Sequence, residues 1–354
     1  MYAQNGLNNE DMALGLPASY PFVWDFDEGA PIKSPKVSDI KGLLMPHHMI
    51  VSKKVFTAYR IFARSFVEKP KTIIIIGPNH YEAGSSNIQT NSIGYKTRFG
   101  GLKADTEAES ALGLTVDNFP FYKEHSISTH VNFIKYFFPD AKIVPIILKW
   151  ETTRKELNGL FKKIAAMKEN TAVIASIDFS HYQTEKVASF HDVLAQNTIE
   201  RCDASAANKL EIDSRASFYL FLKILKERRA CSPDILYHTN SQGFTNEPLA
   251  STTSHFIALF GGGVGAGSRK ISGLYTVIHK LTAKSAGDEG RFFMGSDRVF
   301  LKQKNKVYEI DQKKLSVGRE IQSSTIINAV NNGENLCKGR DFGIIKGEMA
   351  VRCF

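Results

Sequence analysis

The sequence predicts an α/β protein in which a central, mostly buried β-sheet is flanked by helices. Short runs rich in Ile, Val and Leu alternate along the chain with longer segments of helical period. These runs contain few polar residues, which is typical of strands that helices cover on both faces. The predicted strands are residues 41–45, 71–76, 142–148, 171–177, 234–238 and 254–260.

The helices are predicted from apolar stripes and from residues that favour helix ends. Asp105 is a suitable N-cap for the second helix, and Thr153 with Glu156 forms a capping box for the fourth. The apolar and aromatic stripes are interpreted as core positions and not as a cofactor site. The predicted helical segments are residues 51–66, 105–114, 126–138, 154–167, 189–202 and 214–229.

Composition shifts divide the chain into three segments. Residues 1–38 form a mixed polar extension, residues 39–262 the α/β domain, and residues 263–354 a C-terminal extension with β character. GGGVGAGS at residues 261–268 is interpreted as a hinge, because a dinucleotide fingerprint would have to open a helix inside a βαβ unit. RVFLKQKNKVYEI predicts a β-hairpin around residues 303–306.

The chain has 354 residues, a formal net charge of +9 and a pI of about 9.2. Its lysines and arginines are spread along the chain, and no zinc-finger spacing or RNA-binding motif accompanies them, so nucleic acid is not an expected partner. No apolar run reaches the roughly 18 residues of a membrane span. Whether the protein forms a homo-oligomer is left open.

The cysteines and the N-terminus indicate the expected compartment. Cys202, Cys231, Cys337 and Cys353 are widely scattered and are predicted to be free thiols, with a Cys337–Cys353 bridge as the alternative. Free thiols favour a reducing compartment. The first residues lack the basic and apolar regions of a signal peptide, so the expected location is the cytoplasm.

Polar residues follow several predicted strands at the point where each strand ends. His47 and His80 each follow an apolar run, and Asp178 and His181 follow a third. His125, in KEHSISTH, stands at a predicted helix start. Because ligands of open α/β sheets bind at the carboxyl ends of the strands, we expect these side chains to converge.

Several imidazoles and a carboxylate at one edge suit a divalent transition metal or general acid–base chemistry. KEHSISTH contributes a second histidine, His130, about one turn after His125, and His48 is a candidate outer partner. The alternative for each is an ordinary loop histidine satisfied by local hydrogen bonds. Four further histidines have no matching context and are interpreted as ordinary: His191, His238, His255 and His279.

Taken in order, four motifs resemble the Memo-like family, which includes the archaeal and bacterial AmmeMemoRadiSam system protein B members. The motifs are PHHMIVSKKVFTAY, IIIIGPNHY, EHSISTHVNFIKYFFPDAKIVPIIL and SIDFSHY, and the similarity covers about residues 40–260. The resemblance implies a fold similar to that of class III extradiol dioxygenases, which use non-haem iron. It also implies that His47 and His80 bind the metal.

The sequence departs from this family at two positions. IDSRASFYLFLKIL occupies the place of a segment with a metal-contacting cysteine, so Asp213 stands where the cysteine would be, while Arg215 keeps the family's arginine. Two histidines and one carboxylate favour Fe(II), with Zn or Cu as alternatives. The other interpretation of Asp213 is an N-cap. Ser128 replaces a glutamate that is usual in the family.

Three functions follow from these residues. The first is a metal-dependent redox enzyme whose metal is held by His47, His80 and either Asp213 or Asp178. Its catalytic residues are His125, which acts as acid or base, His181, which orients a ligand or stabilises developing charge, and Asp178. The second is a non-catalytic adaptor that binds a small molecule or peptide, because Memo-like proteins of animals are linked to signalling and phosphopeptide binding. The third is a metal-dependent hydrolase.

Overall fold

A computed structural model describes residues 34–167, 170–246, 251–262, 291–294, 299–303, 306–311, 316–320, 322 and 344–345. The α-helices are α1 (Ser52–Arg64), α2 (Thr106–Leu112), α3 (His125–Ser128), α4 (Val131–Phe137), α5 (Arg154–Ala165), α6 (Glu185–Arg201), α7 (Arg215–Glu227) and α8 (Ser241–Thr245). Short 3-10 helices lie at Met49–Val51, Pro120–Tyr122 and Ala204–Lys209.

The strands of the main domain are β1 (Ser38–Met45), β2 (Thr72–Pro78), β3 (Ile88–Thr90), β4 (Tyr95–Thr97), β5 (Gly100–Leu102), β6 (Thr115–Val116), β7 (Lys142–Leu148), β8 (Thr171–Ser176), β9 (Phe179–Gln183), β10 (Ser232–Asn240) and β11 (Thr252–Gly262). The C-terminal strands are β12 (Arg291–Met294), β13 (Val299–Gln303), β14 (Lys306–Asp311), β15 (Ser316–Glu320) and β16 (Ile344–Ile345).

One mixed sheet organises the main domain. Its strand order is β10-β11-β1-β8-β2-β7-β3-β6, and β9 pairs with β11. The four central strands β1, β8, β2 and β7 are parallel, whereas β11 runs antiparallel to β1. The carboxyl ends of the parallel strands therefore lie along a single edge of the sheet.

Helices cover both faces of the sheet, as the apolar strands predict. In β2, Ile73 and Ile75 pack on the face that contacts Phe62 of α1, while Ile74 and Ile76 pack on the opposite face. All four isoleucines are fully buried. Burial of each such side chain contributes about 2 kcal/mol, so a polar substitution in this strand would remove a large part of the domain's stability.

The structure confirms the predicted α/β class and the six predicted strands. The predicted single helix over residues 126–138 is wrong, because α3 ends at Ser128 and α4 begins at Val131. His130 donates its N–H to the Ile127 carbonyl at 3.0 Å, a three-residue bond that tightens the turn. The Ser128 hydroxyl also bonds back to the Glu124 carbonyl at 3.0 Å, a contact that favours helix ends over helix interiors.

The predicted free thiols are wrong for one pair. Cys202 and Cys231 form a disulfide between the end of α6 and the start of β10. The bond removes the observation on which the expectation of a reducing compartment rested. Cys337 and Cys353 lie outside the described residues.

The C-terminal strands form a separate antiparallel sheet of order β15-β14-β13-β12-β16. The β13–β14 pair, in which Gln303 faces Lys306, confirms the predicted hairpin. Residues 1–33 of the predicted extension, and the predicted hinge beyond residue 262, lie outside the described residues. None of the described helices combines the length and the apolar character needed to cross a membrane.

Candidate functional site

The strand ends bring the predicted histidines together. Met45 pairs with Ser176 at the ends of β1 and β8, so the residues that follow, His47 and Asp178, are neighbours. The His47 and His80 rings have centroids 4.9 Å apart. The convergence that strand position predicts is therefore present in the fold.

The His47 ring is buried and has a defined orientation. The Ser176 hydroxyl donates to the Ser126 carbonyl, so its oxygen is free to accept the Nδ1 proton of His47 at 3.1 Å. This assigns the proton to Nδ1 and leaves the lone pair on Nε2. Burial lowers the pKa of His47 well below its ordinary value, which favours the neutral ring that a metal requires.

His80 is oriented by a carboxylate. Glu124 accepts the Nδ1 proton of His80 at 2.7 Å and the backbone N–H of the same residue at 2.7 Å. Burial acts to lower the pKa of His80, but the bond and the charge of Glu124 act against it, and the pKa is raised. A carboxylate on one ring nitrogen is the arrangement that orients metal-binding histidines. The Nε2 atom of His80 is left to face Asp213.

Asp213 supplies an oxygen between the two imidazoles. Its Oδ2 atom lies 3.1 Å from His47 Nε2 and 4.0 Å from His80 Nε2. Its Oδ1 atom is buried and has no hydrogen-bond partner among the described residues. The cap of α7 is Ser214, whose hydroxyl accepts the Ser217 N–H at 3.2 Å, so the interpretation of Asp213 as that N-cap is wrong.

Asp178 forms the other acidic wall of the site. Its Oδ1 atom accepts the backbone N–H of His47 at 3.2 Å, and its Oδ2 atom lies 3.4 Å from His47 Nε2. Burial acts to raise the pKa of Asp178, but His47 and His255 hold it well below its usual range. Burial and the neighbouring charge of Asp178 raise the pKa of Asp213. As the pH rises, Asp178 therefore ionises before Asp213.

His125 and His181 complete the ring of side chains. His125 begins α3 and stacks on His80, with centroids 4.3 Å apart and planes within 16° of parallel. His181 Nε2 lies 3.8 Å from Asp178 Oδ2. Burial lowers the pKa of both imidazoles, that of His181 to about 4, so both rings are neutral near pH 7. A neutral imidazole can accept a proton or bind a metal.

Two overlapping groups of ligand atoms have spacings that suit a metal ion. The atoms of His47, His80 and His125 lie within 4.8 Å of one another, and so do those of His47, His181 and Asp213. Ligands that bind one ion at about 2.1 Å are about 3 to 3.5 Å apart, so small side-chain shifts would suffice. His47 is shared by both groups.

Several neighbours of these side chains were not predicted from the sequence. Glu124 stands directly before His125, so its position in the sequence could have indicated a carboxylate close to the histidines. Ser176 ends β8, where a hydroxyl in a buried strand was a weaker signal. His255, interpreted as ordinary, has Nδ1 3.7 Å from Asp178 Oδ1 and Nε2 3.4 Å from His48 Nδ1. Nothing local in the sequence of β11 indicates this contact.

His130, the second histidine of KEHSISTH, does not join the site. It is fully buried at the start of α4, and its ring centroid lies 5.9 Å from that of Tyr59. Neither of its ring nitrogens has a hydrogen-bond partner among the described residues. The prediction for His130 is therefore wrong, because its ring packs in the aromatic core and does not line the cavity.

A cavity of about 880 Å³ opens onto the candidate ligands. This volume lies within the ~300–1,000 Å³ typical of small-molecule sites. Beside His47, His80, His125, Asp178, His181 and Asp213, its lining includes Lys149, Trp150, Arg154, Tyr182 and Arg215. The cavity can therefore bring a small ligand against both the imidazoles and charged or aromatic side chains.

Sequence comparisons match this chain to proteins of a single family. A family model described as Memo-like protein matches residues 26–251. A MEMO1 family protein of Pyrobaculum aerophilum is 32% identical over 52% of this chain and 68% of its own length. Another from Sulfolobus acidocaldarius is 26% identical over 65% of this chain and 86% of its own.

Among solved structures, that of an uncharacterized protein from Escherichia coli K12 covers 61% of this chain and 99% of its own. The two share 12% sequence identity with a TM-score of 0.40.

Proposed function

Since the chain belongs to the Memo-like family, we propose that its cavity binds one divalent metal through His47, His80 and Asp213. Two histidines and a carboxylate are the ligand set of non-haem Fe(II) oxygenases, so Fe(II) is expected ahead of Zn(II) or copper. The function that this set favours is a metal-dependent redox enzyme. It differs from a hydrolase with the same ligands in requiring oxygen.

The observation that supports this proposal most strongly is the orientation of the two imidazoles. Ser176 and Glu124 bind the Nδ1 atoms of His47 and His80, which leaves both Nε2 atoms, 3.1 Å and 4.0 Å from Asp213 Oδ2, as the ligand atoms for a metal. Ordinary loop histidines have no need of such matched outer partners, whereas metal-binding histidines almost always have them. The buried Oδ1 atom of Asp213, which has no hydrogen-bond partner among the residues that the structure describes, is a second oxygen that a cation would satisfy.

The remaining residues have roles that the proposal assigns from their positions. A bound Fe(II) would supply electrons for oxygen chemistry. His181 lines the cavity, and at neutral pH its Nε2 atom accepts a proton from a ligand hydroxyl. Asp178, 3.8 Å away, stabilises the imidazolium that results. His125, stacked on His80, is a second proton acceptor.

Metal content tests the proposal directly. Elemental analysis and anaerobic Fe(II) titration, beside titrations with Zn(II) and Cu(I), are made on the wild type, Asp213→Asn and Asp39→Asn. Asp39 is a matched control because its exposed carboxylate pairs with Lys41 at the other end of β1. We expect stoichiometric Fe(II) binding that Asp213→Asn weakens by more than about tenfold and Asp39→Asn leaves unchanged. Failure of the wild type to bind any metal would overturn the proposal.

Replacement of the carboxylate by a thiolate tests the metal preference. Asp213→Cys is expected to shift the relative affinities toward Zn(II) and Cu(I), since soft ligands prefer those ions. Ser214 still caps α7 in this variant, so the helix keeps its N-terminal bond. An unchanged order of affinities would argue against Asp213 as a ligand. Oxygen uptake by the Fe(II)-loaded wild type then separates redox chemistry from hydrolysis.

A further inference from the structure

Arg154 lines the cavity with hydrogen-bonding capacity that the described residues do not use. It is the first residue of α5, and its guanidinium lies over the Tyr219 ring, 3.5 Å from the centroid. Among the described residues, its buried Nη1 atom has no hydrogen-bond partner and no carboxylate forms an ion pair with it. The Tyr219 hydroxyl is itself held by Asn158 at 3.0 Å, so the platform beneath Arg154 is fixed.

The other cations of the described cavity wall have protein partners. Lys149 Nζ donates to a backbone carbonyl at 2.8 Å. Arg215 Nε also donates to a backbone carbonyl at 2.8 Å, and its Nη2 atom lies 3.9 Å from the Glu211 carboxylate. Arg154 differs from both because its positive charge has an aromatic face beside it but no acceptor in the described part of the chain.

A guanidinium held in this way is suited to bind an oxyanion. Its planar array of donors matches the two oxygens of a carboxylate or phosphate, and stacking on an aromatic ring fixes the plane in advance. A partly buried donor without an acceptor is costly, and an anionic ligand would remove that cost. Four carboxylates line the same cavity, and none of them forms an ion pair with Arg154 among the described residues. Asp178 and Asp213 belong to the candidate metal site, Glu82 accepts the Trp150 N–H, and Glu211 lies beside Arg215.

Two exposed aromatic side chains also line the cavity. Trp150 is 56% exposed and Tyr182 is 80% exposed, although such large rings are normally at least partly covered. The Arg215 guanidinium lies 5.2 Å from the Trp150 ring. Aromatic surface next to cationic groups favours a ligand that has both a flat apolar body and a negative charge.

We propose that Arg154 is the anion-binding residue of this cavity, and that the natural ligand is a small aryl or similarly planar molecule bearing a carboxylate or phosphate. The inference rests on the proposed function, which concerns the part of the ligand that reacts at the metal site. It adds the chemical class of the ligand and a residue that selects for it.

Matched ligands and a matched charge deletion test the inference. Benzoate, phenyl phosphate and neutral benzyl alcohol are titrated by calorimetry into the full chain, both metal-free and loaded with Zn(II). The variants are Arg154→Met and Lys155→Met. Lys155 is the control because it is the next residue of α5, is exposed and does not line the cavity, so the net charge changes equally.

We expect benzoate or phenyl phosphate to bind the wild type at least roughly tenfold more tightly than benzyl alcohol. Arg154→Met should abolish that preference, whereas Lys155→Met should keep it. Whichever of benzoate and phenyl phosphate binds more tightly indicates whether the natural ligand bears a carboxylate or a phosphate. Equal binding of charged and neutral ligands by the wild type, or equal effects of the two variants, would overturn the inference.

Metal binding and the preference for anions are measured separately, so either proposal can fail without the other. If no metal binds but the Arg154-dependent preference for anions persists in the metal-free protein, the proposed function fails and the anion site stands. If metal binds but the preference is absent, the anion site fails and the proposed function stands.

Discussion

His80 and His130 belong to neighbouring motifs, yet their surroundings differ in every respect that matters for chemistry. His80 keeps 23% of its side chain exposed to the cavity, and Glu124 binds its Nδ1 atom at 2.7 Å. His130 is fully buried beside Tyr59, with neither ring nitrogen hydrogen-bonded to a described residue. A histidine thus becomes a candidate ligand through an outer partner and an open second nitrogen, and not through its place in a motif.

The two histidines also have opposite pKa shifts. Burial lowers the pKa of His130 to about 3. Burial acts on His80 in the same direction, but the adjacent Glu124 carboxylate reverses it and raises the pKa of His80. Burial by itself therefore makes an inert neutral ring, whereas burial beside a carboxylate makes an oriented and more basic one.

The largest expected difference between them is in metal binding. Loss of a residue that hydrogen-bonds a metal ligand lowers metal affinity by up to ~100-fold. His80→Ala removes the ligand itself, so it should weaken Fe(II) or Zn(II) binding by more than that. His130→Phe, which keeps an aromatic ring in the aromatic core, should bind metal like the wild type. Titration calorimetry measures both, with circular dichroism to verify folding. Full metal occupancy in folded His80→Ala would show that the two histidines do not differ as the site requires.

Removal of the outer carboxylate should have the next largest effect. Glu124→Gln keeps the size of the side chain but removes the charge that orients His80. We expect metal affinity to fall by about 10- to 100-fold. The Ser126 N–H, which Glu124 accepts at 2.8 Å, can still be bonded by the amide oxygen, so a thermal unfolding scan serves as the structural control. Unchanged affinity would mean that Glu124 only caps α3.

The buried ring of His130 should be visible in the pH dependence of stability. Because the folded-state pKa is lowered to about 3 from an ordinary value of 6.5, the unfolded chain takes up a proton that the folded chain does not. Stability is therefore lost as the pH falls from 6.5 toward 3. Between pH 6.5 and 5 this loss is about 2 kcal/mol and should be absent from His130→Phe.

Urea unfolding at the two pH values measures this difference. Other buried histidines titrate in both proteins, so only the difference between wild type and His130→Phe is compared. Equal losses of stability in the two proteins would show that the His130 ring takes up a proton in the folded state, and would remove the contrast with His80.

The smallest expected effect is at Ser176. Its hydroxyl accepts the Nδ1 proton of His47 at 3.1 Å without a formal charge. Ser176→Ala should therefore weaken metal binding by about fivefold, corresponding to a neutral hydrogen bond of about 1 kcal/mol. If Ser176→Ala lost more metal affinity than Glu124→Gln in the same titration, Ser176 and not Glu124 would be the more important partner of the metal-binding histidines.

The strand-end residues could be selected from the sequence for a local reason. An apolar run that ends in a proline or glycine and then a histidine is visible in a few residues, as at His47 and His80. Parallel strands also share one edge, so strand position carries information about distance in space. The same local logic failed for His130, because the helix breaks between Ser128 and Val131 and the ring of His130 packs in the core beside Tyr59.

What the sequence determined was the α/β class, the six main strands and the edge at which polar side chains would meet, since these follow from periodicity and chain direction. Only the tertiary structure decided the tautomer of His47, the pairing of Cys202 with Cys231 and the lack of an acceptor for Arg154 among the described residues. Each depends on atoms from segments far apart in the chain, such as Ser176 and Ser126. Periodicity records which face a residue lies on, but hydrogen-bond partners are set by packing between faces.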